Sequence, residues 1–295
     1  MLTLDKIYHA AFVLKDVARK TDLIEAPKLS KDCQLYLKTE NLQATGSFKV
    51  RGAYYKISQL SEEESAKGVI ACSAGNHAQG VALAATRRGI RSIVCMPDGA
   101  PLMKVENTKN LGAEVCLVPG TYDEAHDKAV QLQKEYDMTF IHPYDDEQVI
   151  AGQGTIGLEI LDQLPDVDAV VVPVAAVLFH KLPVEGKKVA CVVSGGNIDV
   201  NILNRVITRG LVMSGRKANM TIALEDKPGQ LKKVAEIVSR CGSNVVSVQH
   251  DGSDPNMPIS SCFLKLTLET RDAEQIEQIR AELAKEGFQL VSERV

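Results

Sequence analysis

The apolar positions of this chain follow two different periods, and these alternate most regularly between residues 68 and 143. Four short apolar runs typical of buried strands occupy residues 69–72, 92–96, 114–118 and 139–142, and stretches with helical periodicity separate them. This alternation predicts a doubly wound α/β unit built on a parallel sheet. Ligands of such sheets bind where strands end and helices begin, because helix N-termini present free N–H groups there.

The regions on either side of this unit predict further elements of an α/β fold. In chain order they are a helix at 7–18, a strand at 34–38, a helix at 51–59, a tight glycine loop at 152–157, a helix at 158–163, a strand at 169–173, a helix at 175–181 and a strand at 189–193. Residues 174–179 pass from strand to helix without any Gly, Asn, Asp or Ser, which is unusual for such a junction.

The C-terminal region has a different order of elements. Residues 203–218 are rich in Arg, Gly and Ser and predict a connector. Strands are predicted at 221–224, 244–249, 259–268 and 288–291, with helices at 229–241 and 273–285. The order βαββαβ predicts a ferredoxin-like sandwich. This region contains no catalytic constellation.

Composition and charge narrow the possible partners and location. The chain has 295 residues, 45% of them hydrophobic and 24% charged, which suits a globular protein of two domains. A net charge of -4 without a basic cluster argues against nucleic acid as a partner. The N-terminal pattern is amphipathic rather than that of a signal peptide, and the longest apolar run, 169–179, is too short to cross a bilayer. We therefore expect a cytoplasmic protein without membrane contact.

The cysteines and histidines give no sign of a disulfide or a metal. Seven cysteines, an odd number, are widely spaced and mostly set in apolar runs, as expected of reduced, buried thiols. The six histidines include no pair at the spacing of helical metal ligands. The sequence predicts no structural metal.

A single lysine offers the first candidate chemistry. Lys49 stands in the run Thr45-Gly-Ser-Phe-Lys-Val-Arg-Gly-Ala53, beside the ring of Phe48 and two residues before Arg51. Partial desolvation and a neighbouring cation should lower the pKa of this ammonium, and a neutral amine can attack a carbonyl carbon. Schiff-base chemistry is the first hypothesis. An exposed lysine at the start of a helix is an equally good interpretation of this run alone.

Two turns at predicted strand ends offer further candidates. The run Ser73-Ala-Gly-Asn76-His77 lies between a strand and a helix, where it can bind an anion or the edge of a cofactor, or act as an ordinary helix cap. The run Ser194-Gly-Gly-Asn197 follows a predicted strand and can expose a hydroxyl and backbone N–H groups. A plain Gly-Gly turn is at least as common.

Two further runs belong with these motifs, His142-Pro-Tyr-Asp-Asp and Gly152-Gln-Gly-Thr-Ile-Gly-Leu-Glu159. Taken together and in this order, the motifs closely resemble those of the threonine dehydratases (threonine ammonia-lyases), which are fold-type II pyridoxal-phosphate enzymes. The C-terminal runs Asp226-Lys-Pro-Gly229-Gln-Leu and Gly242-Ser-Asn244-Val-Val resemble the ACT regulatory domain found on many of these enzymes. Serine racemases share the lysine motif and are an alternative, although the ACT-like region favours a dehydratase.

The resemblance implies a role for each candidate residue. Lys49 would form the Schiff base with pyridoxal phosphate and move the Cα proton of the substrate, and Phe48 would pack against the cofactor ring. Asn76 would bond the phenolic oxygen of the cofactor, and Ser194 would face the pyridine nitrogen. The substrate carboxylate would be held by Ser73, by His77 and by their backbone N–H groups.

The implied reaction is β-elimination from L-threonine, giving 2-oxobutanoate and ammonia, with L-serine giving pyruvate as a side reaction. The enzyme would serve isoleucine biosynthesis or threonine catabolism and would form a homo-oligomer. An amino-acid effector would bind the ACT-like domain near Gly229 and Asn244. The pair Pro228-Gly229 is explained equally well as a turn at the start of a helix.

One departure from the family pattern concerns the cofactor phosphate. In the family, the strand matching 169–173 is followed by glycines that cradle this phosphate, whereas here Val174 runs directly into Ala175-Ala-Val177. The chain resembles a dehydratase with an internal deletion after Val174, and we expect its affinity for pyridoxal phosphate to be reduced. The alternative is a catalytically silent form that retains amino-acid binding and dimerisation through the ACT domain.

The resemblance also sets the expected domains. Residues 1–211 would form the catalytic region, with a small α/β subdomain at about 50–147 and a truncated large subdomain from 1–49 and 148–211. Residues 218–295 would form the ACT-like regulatory domain.

Overall fold

The computed structural model describes residues 1–172, 175–178, 181–198, 200–252 and 258–291. The chain divides into two compact units, Met1–Asn197 and Ile198–Val295, and each is described separately. The first unit contains two four-stranded sheets and the second contains one.

The region with the most regular sequence pattern forms the first of these sheets. Its strands are β3 (Val69–Cys72), β4 (Ser92–Pro97), β5 (Glu114–Val118) and β6 (Thr139–Phe140), and they lie in the order β5-β4-β3-β6. All three pairings are parallel, which confirms the predicted parallel sheet. The last strand is shorter than predicted because its pairing ends two residues before His142, which precedes a proline.

The second sheet of the first unit is formed by segments far apart in the sequence. Its strands are β1 (Leu23–Glu25), β2 (Gln34–Lys38), β7 (Ala169–Val171) and β8 (Lys188–Val192), in the order β1-β2-β8-β7. β2 and β7 both pair with β8 in parallel, and β1 pairs with β2 in the antiparallel sense. β7 is therefore an edge strand. Pro173 and Val174, where the deletion is predicted, lie outside the described residues.

Helices of the first unit cover or connect these sheets. They are α1 (Leu4–Val13), α2 (Lys49–Ser58), α3 (Glu62–Lys67), α4 (Asn76–Arg87), α5 (Leu102–Asn110), α6 (Tyr122–Tyr136), α7 (Glu147–Gln163) and the short α8 (Ala175–Leu178). Side-chain caps begin several of them: Ser61 and Thr121 form capping boxes with the third helical residue, and Asp146 accepts from the N–H groups of Gln148 and Val149.

The predicted glycine loop at 152–157 is wrong, because α7 runs through it without interruption. Its glycines serve a helix contact instead of a turn. A Cβ on Gly152 would lie 2.7 Å from the carbonyl oxygen of Arg51 and 2.7 Å from the Cα of Gly52 in α2. A Cβ on Gly52 would in turn lie 2.7 Å from the carbonyl oxygen of Val149. The two helices cross closely only because both positions lack side chains.

The second unit is an antiparallel sandwich. Its elements are α9 (Val200–Met213), β9 (Lys217–Glu225), α10 (Gln230–Arg240), β10 (Asn244–Asp251), β11 (Ser261–Glu269), α11 (Ala273–Lys285) and β12 (Gln289–Val291). From β9 onward the order is βαββαβ, and the strands lie in the order β10-β11-β9-β12. One apolar cluster on the sheet includes Ile222, Leu264 and Leu268, together with Val234 of α10 and Ile279 of α11. The predicted ferredoxin-like arrangement is confirmed.

Most of the predicted connector at 203–218 is wrong, since α9 occupies residues 200–213. Apolar residues such as Leu203, Val206 and Ile207 recur at helical spacing, and this outweighs the cost of about 1 kcal/mol for the one glycine inside the helix, Gly210. None of the described helices is long and apolar enough to cross a membrane. All seven cysteines lie among the described residues, and each is a free thiol.

Candidate active site

Lys49 is the first residue of α2 and is half-buried. Its Nζ donates a hydrogen bond to the carbonyl oxygen of Pro143 at 2.7 Å and lies 5.2 Å from the centroid of the Phe48 ring. Burial lowers the pKa of this ammonium below its ordinary value. Lys49 does begin a helix, as the alternative interpretation has it, but it is not exposed.

Arg51 does not cause this shift in the pKa of Lys49, contrary to the sequence-based expectation. Its guanidinium is 1% exposed and forms hydrogen bonds with both carboxylate oxygens of Glu40, each at 2.8 Å, and with Glu159 at 2.6 and 3.1 Å. Lys38 completes the cluster through a 2.7 Å bond to Glu159. Two cations and two carboxylates are thus paired in the interior. Burial opposes the charge on Arg51, but the bonds to the carboxylates outweigh it and raise its pKa.

The loop before Lys49 pairs with the loop that contains Ser194. Ser47 and Gly195 form an antiparallel bridge, and the N–H of Phe48 donates to the carbonyl oxygen of Ser194 at 3.2 Å. The N–H of Gly196 donates to the carbonyl oxygen of Gly46 at 2.9 Å. The structure therefore brings together Phe48, Lys49 and Ser194, which the sequence placed in one site.

Asn76 reaches the same place from the start of α4. Its Oδ1 accepts a hydrogen bond of 3.0 Å from Nδ2 of Asn197, which also donates to the carbonyl oxygen of Thr45 at 2.9 Å. A Cβ on Gly195 would lie 2.8 Å from Nδ2 of Asn76. The absence of a side chain at Gly195 therefore leaves the donor side of the Asn76 amide open.

Ser73 and His77 lie on either side of this turn and differ in what their side chains do. The hydroxyl of Ser73 accepts from the N–H of Gly75 at 3.2 Å, and Ser73 is partly exposed. His77 is 3% exposed, and its Nε2 is bonded to the carbonyl oxygen of Ile141 at 2.9 Å. Burial is the main cause that lowers the pKa of His77 to about 4, so this ring is neutral near pH 7.

Close packing of α4 against α2 fixes the position of the Lys49 backbone in the site. A Cβ on Gly80 of α4 would lie 3.1 Å from the carbonyl oxygen of Lys49 and 3.3 Å from the N of Val50. α4 therefore approaches the first turn of α2 at backbone distance. The loop after β6 supplies Pro143, the partner of the Lys49 amine, and His142 holds that loop by accepting from the N–H of Asp145 at 2.7 Å.

Comparison with known proteins identifies the family. Residues 14–177 match the family described as pyridoxal-phosphate dependent enzyme. The chain belongs to this family. Over an alignment of 397 positions that covers 98% of the chain and 99% of the relative, it is 38% identical to the L-threonine ammonia-lyase of Thermotoga maritima.

Solved structures of the family agree with the observed fold. The processed form of threonine deaminase isoform 2 from Solanum lycopersicum superposes with a TM-score of 0.54 at 39% identity, covering 64% of this chain and 56% of that one. A serine racemase from Dictyostelium discoideum superposes with a TM-score of 0.56 at 35% identity, covering 65% of this chain and 66% of that one. The doubly wound α/β fold is thus the fold of this family.

The residues around Lys49 fit the aldehyde and the ring of pyridoxal phosphate, the cofactor of the family. Lys49 offers a partly desolvated amine, Phe48 an apolar ring face and Asn76 an amide donor. Ser47 adds a buried hydroxyl for which the described residues supply no hydrogen-bond partner. These donors lie around one end of the site, beside the paired loops at Gly46 and Gly195.

The family pattern predicts glycines for the cofactor phosphate at the end of β7, and the sequence there differs from that pattern. The sequence after β7 reads Val172-Pro-Val-Ala-Ala176 and contains no glycine. Cradling a dianionic phosphate with backbone depends on several convergent N–H groups, which glycine makes accessible. The residues present therefore fit the reactive half of the cofactor and do not supply the expected glycine cradle for its phosphate.

The predicted effector residues of the second unit lie apart within one chain. Gly229, in the left-handed region with φ of 93°, is the N-cap of α10, whereas Asn244 begins β10 after the other end of that helix. α10 has 11 residues and is about 16 Å long. The side-chain Nδ2 of Asn244 donates to Glu269 at 3.1 Å. One small ligand does not span both residues of the same chain.

The sequence did not single out Pro143 or Asn197 as individual site residues. Pro143 acts through its carbonyl oxygen, and Asn197 orients the amide of Asn76. Both stand inside motifs that the sequence had marked, at His142-Pro143 and Ser194-Gly-Gly-Asn197. A signal was present, therefore, but only the fold shows which group of each motif faces the site.

Proposed function

We propose that this chain acts as an L-threonine ammonia-lyase, converting L-threonine to 2-oxobutanoate and ammonia. The observation that carries the proposal is the half-buried Lys49 amine with its lowered pKa, placed beside Phe48 and the Ser194 loop. Similarity to the Thermotoga maritima enzyme over nearly the whole chain supports the choice of L-threonine. No further reactant is required, because the water lost in the elimination is regained when the C=N bond of the product is hydrolysed.

Lys49 would act as the base at the substrate Cα. Its lowered pKa increases the fraction of neutral amine near pH 7, and a neutral amine can accept the Cα proton. Bound pyridoxal phosphate supplies an electron sink for the substrate. The carbonyl oxygen of Pro143 orients the amine in the absence of substrate, since it accepts a hydrogen bond from Nζ.

The remaining site residues would hold the cofactor and the substrate. Phe48 would pack on the cofactor ring, the Asn76 amide would donate to the phenolic oxygen, and Ser194 would face the ring nitrogen. Ser73 and the first N–H groups of α4 would hold the substrate carboxylate. The ring of His77 is bonded to the carbonyl oxygen of Ile141, so we assign its backbone N–H, rather than its imidazole, to this role.

The direct test is release of 2-oxobutanoate from L-threonine by the full chain with added pyridoxal phosphate. Lys49→Ala should lower the rate by about 10²-fold or more, because it removes both the attachment point and the base. Lys109→Ala, at an exposed position of α5, is the matched control and should leave the rate unchanged. A Lys49→Ala protein that keeps the full rate contradicts the proposal.

One other substrate, L-serine, and its two possible products extend this test. We propose that L-serine gives pyruvate as a side reaction, since it also carries a β-hydroxyl group. Similarity to a serine racemase at 35% identity makes D-serine the product to measure alongside pyruvate. D-serine without pyruvate would assign the chain to racemisation, whereas pyruvate as the main product supports the lyase.

A second candidate is a silent deletion form whose remaining role is amino-acid binding by the second unit. The Thermotoga maritima alignment spans 397 positions and the chain has 295 residues, so at least 102 aligned positions have no counterpart here. The family match ends at residue 177, close to the proposed deletion after Val174. Val170 and Val172 are 53% and 57% exposed at the β7 edge, as expected where a covering element is missing.

Binding measurements separate the two candidates. The lyase predicts visible absorbance of bound pyridoxal phosphate that disappears in Lys49→Ala. The silent form predicts no such absorbance and saturable binding of L-threonine by calorimetry that Lys49→Ala leaves unchanged. Under either candidate, we assign residues 218–295 to an ACT-like regulatory domain and expect a homo-oligomer, which sedimentation of the full chain can test.

A further inference from the structure

Three side chains of the second unit meet at one end of its sheet. Asp226 directly follows β9, His250 belongs to β10 and Cys262 belongs to β11. One ligand atom of each, a carboxylate oxygen, an imidazole nitrogen and the thiol sulfur, lies within 4.8 Å of the other two. Oδ1 of Asp226 and Nε2 of His250 are 3.2 Å apart.

The strand register explains why these side chains converge. β11 lies between β10 and β9, with His250 opposite Leu264 and Cys262 opposite Leu224. Because Cys262 and Leu264 are two residues apart on one strand, they share a face of the sheet, and His250 shares that face with Leu264. Asp226 is fixed by its backbone N–H, which donates to the carbonyl oxygen of Ser260 at 2.8 Å.

The three ligand types select a class of metal. Imidazole nitrogen, thiolate sulfur and carboxylate oxygen are the ligands of Zn²⁺, whereas Ca²⁺ and Mg²⁺ prefer oxygen alone. Tetrahedral zinc, with bonds of about 2.0 to 2.3 Å, places its ligand atoms about 3.3 to 3.8 Å apart. The 3.2 Å separation of Asp226 and His250 is already close to this geometry. The thiol, within 4.8 Å of the other two ligand atoms, requires a shift of at most about 1.3 Å, because sulfur and a nitrogen or oxygen ligand on tetrahedral zinc lie about 3.5 Å apart.

Exposure of the three residues suits an ion that enters from solvent. Cys262 is 1% exposed, while the side chains of Asp226 and His250 are 52% and 54% exposed. The sulfur would form the floor of the site, and the two polar ligands would form its open side. An open side leaves a fourth position for water or another small ligand.

We propose that Asp226, His250 and Cys262 bind one Zn²⁺ per chain. The expectation of no structural metal rested on the spacing of cysteines and histidines along the sequence, which does not reveal ligands that come from three segments far apart in the chain. The site lies in the second unit and uses no residue of the proposed lyase site, so either proposal can fail without the other.

Cobalt is the probe for this site, because Co²⁺ replaces Zn²⁺ in such sites and absorbs visibly when a thiolate binds it. Titration of the full chain with Co²⁺ should give one equivalent of thiolate charge-transfer absorbance, and Zn²⁺ should displace it. Cys262→Ser should abolish this absorbance. His250→Asn and Asp226→Asn should each weaken Zn²⁺ binding at least about tenfold.

Two matched variants control for nonspecific binding. Cys241→Ser removes the other buried cysteine of the same unit, and His126→Asn removes a partly exposed histidine of the first unit. Both should bind Co²⁺ as the parent chain does. A parent chain that gives no thiolate absorbance, or equal Zn²⁺ affinity in His250→Asn, overturns the proposal. The His250 variant decides the matter even if Cys262→Ser fails to fold, because His250 is exposed.

Discussion

The two sheets of the first unit have four strands each, but they differ in how completely they are buried. In the β5-β4-β3-β6 sheet, every residue of β3 is buried, and helices such as α4 and α6 pack against the strands. In the β1-β2-β8-β7 sheet, β8 is largely buried, but the edge strand β7 has only three residues and leaves Val170 half exposed. The edge strand β5 of the first sheet also exposes a side chain, Leu117 at 46%, but it has five residues and β7 has three, so the second sheet has the less complete edge.

The candidate site draws its residues from both sheets. Lys49 and Asn76 begin helices that pack near the well-covered sheet, and Ser194 follows the buried strand β8. The glycine cradle, in contrast, would follow the edge strand β7, where no glycine is present. The residues proposed for chemistry at the amine thus belong to the well-packed part of the unit, while the proposed phosphate site would lie at its less covered edge.

The largest effect is expected from a substitution in the buried charge cluster that joins the two sheets. Glu40 lies shortly after β2, is 0% exposed and holds Arg51 of α2. Glu40→Ala should lower the free energy of unfolding by about 3 to 5 kcal/mol, because it leaves the Arg51 charge buried without its main partner. Urea unfolding followed by tyrosine fluorescence isolates this effect, since all seven tyrosines lie in the first unit and the chain has no tryptophan.

Glu63→Ala is the control for the charge cluster, because Glu63 pairs with Lys67 on an exposed face and should change stability by less than about 0.5 kcal/mol. If Glu40→Ala costs no more than this control, the cluster does not couple the two sheets. The contrast between a strong and a weak sheet would then have to be explained by apolar packing alone.

The second prediction concerns the loss of folding stability at low pH that His77 of α4 should cause. His77 is buried with a pKa of about 4, below its ordinary 6.5, so the unfolded chain binds its proton first as pH falls. Stability should therefore decrease between about pH 6.5 and 4, by up to about 3 kcal/mol. Urea midpoints measured across this range should flatten in His77→Gln, which retains a donor for the carbonyl oxygen of Ile141. An unchanged slope would assign the acid sensitivity to other groups.

The sequence predicted best what depends on local pattern. β2, β3, β5 and α11 have the bounds that their hydrophobic patterns predicted, because each is an apolar or amphipathic segment with clear breakers at its ends. Errors arose where a residue serves a distant contact. The glycines of α7 were interpreted as turn formers, but Gly152 is needed because a side chain there would collide with Gly52, which lies in another helix.

The site shows the same limit. Lys49 was found from its neighbours, and the direction of its pKa shift agrees with the structure, but the expected role of Arg51 does not. The partners that matter, Pro143 for Lys49 and Asn197 for Asn76, come from segments about a hundred residues away. Periodicity cannot report such contacts. The residue roles themselves remain predictions until variants are measured.

The third prediction tests the helix crossing that links the layers over the two sheets. Gly152→Ala would place a Cβ 2.7 Å from backbone atoms of α2 and should cost about 1 to 3 kcal/mol in the tyrosine-detected unfolding. Gly157→Ala lies in the same helix, and the described residues place nothing within 4 Å of its Cβ. It should be neutral or stabilise by up to about 1 kcal/mol. Equal effects at both positions would mean that α2 and α7 are not in backbone contact.

The smallest expected effect probes the difference between the sheets directly. Val170→Thr, in the edge strand β7, should change the free energy of unfolding by less than about 0.5 kcal/mol, because this side chain is 53% exposed. The same change at Val94, which is 0% exposed in β4, should cost about 1 to 3 kcal/mol, because it buries a hydroxyl group. Similar losses at both positions would show that β7 is covered in solution, by another copy of the chain or by residues outside the described ranges. The incomplete edge would then be a property of the isolated chain rather than of the working protein.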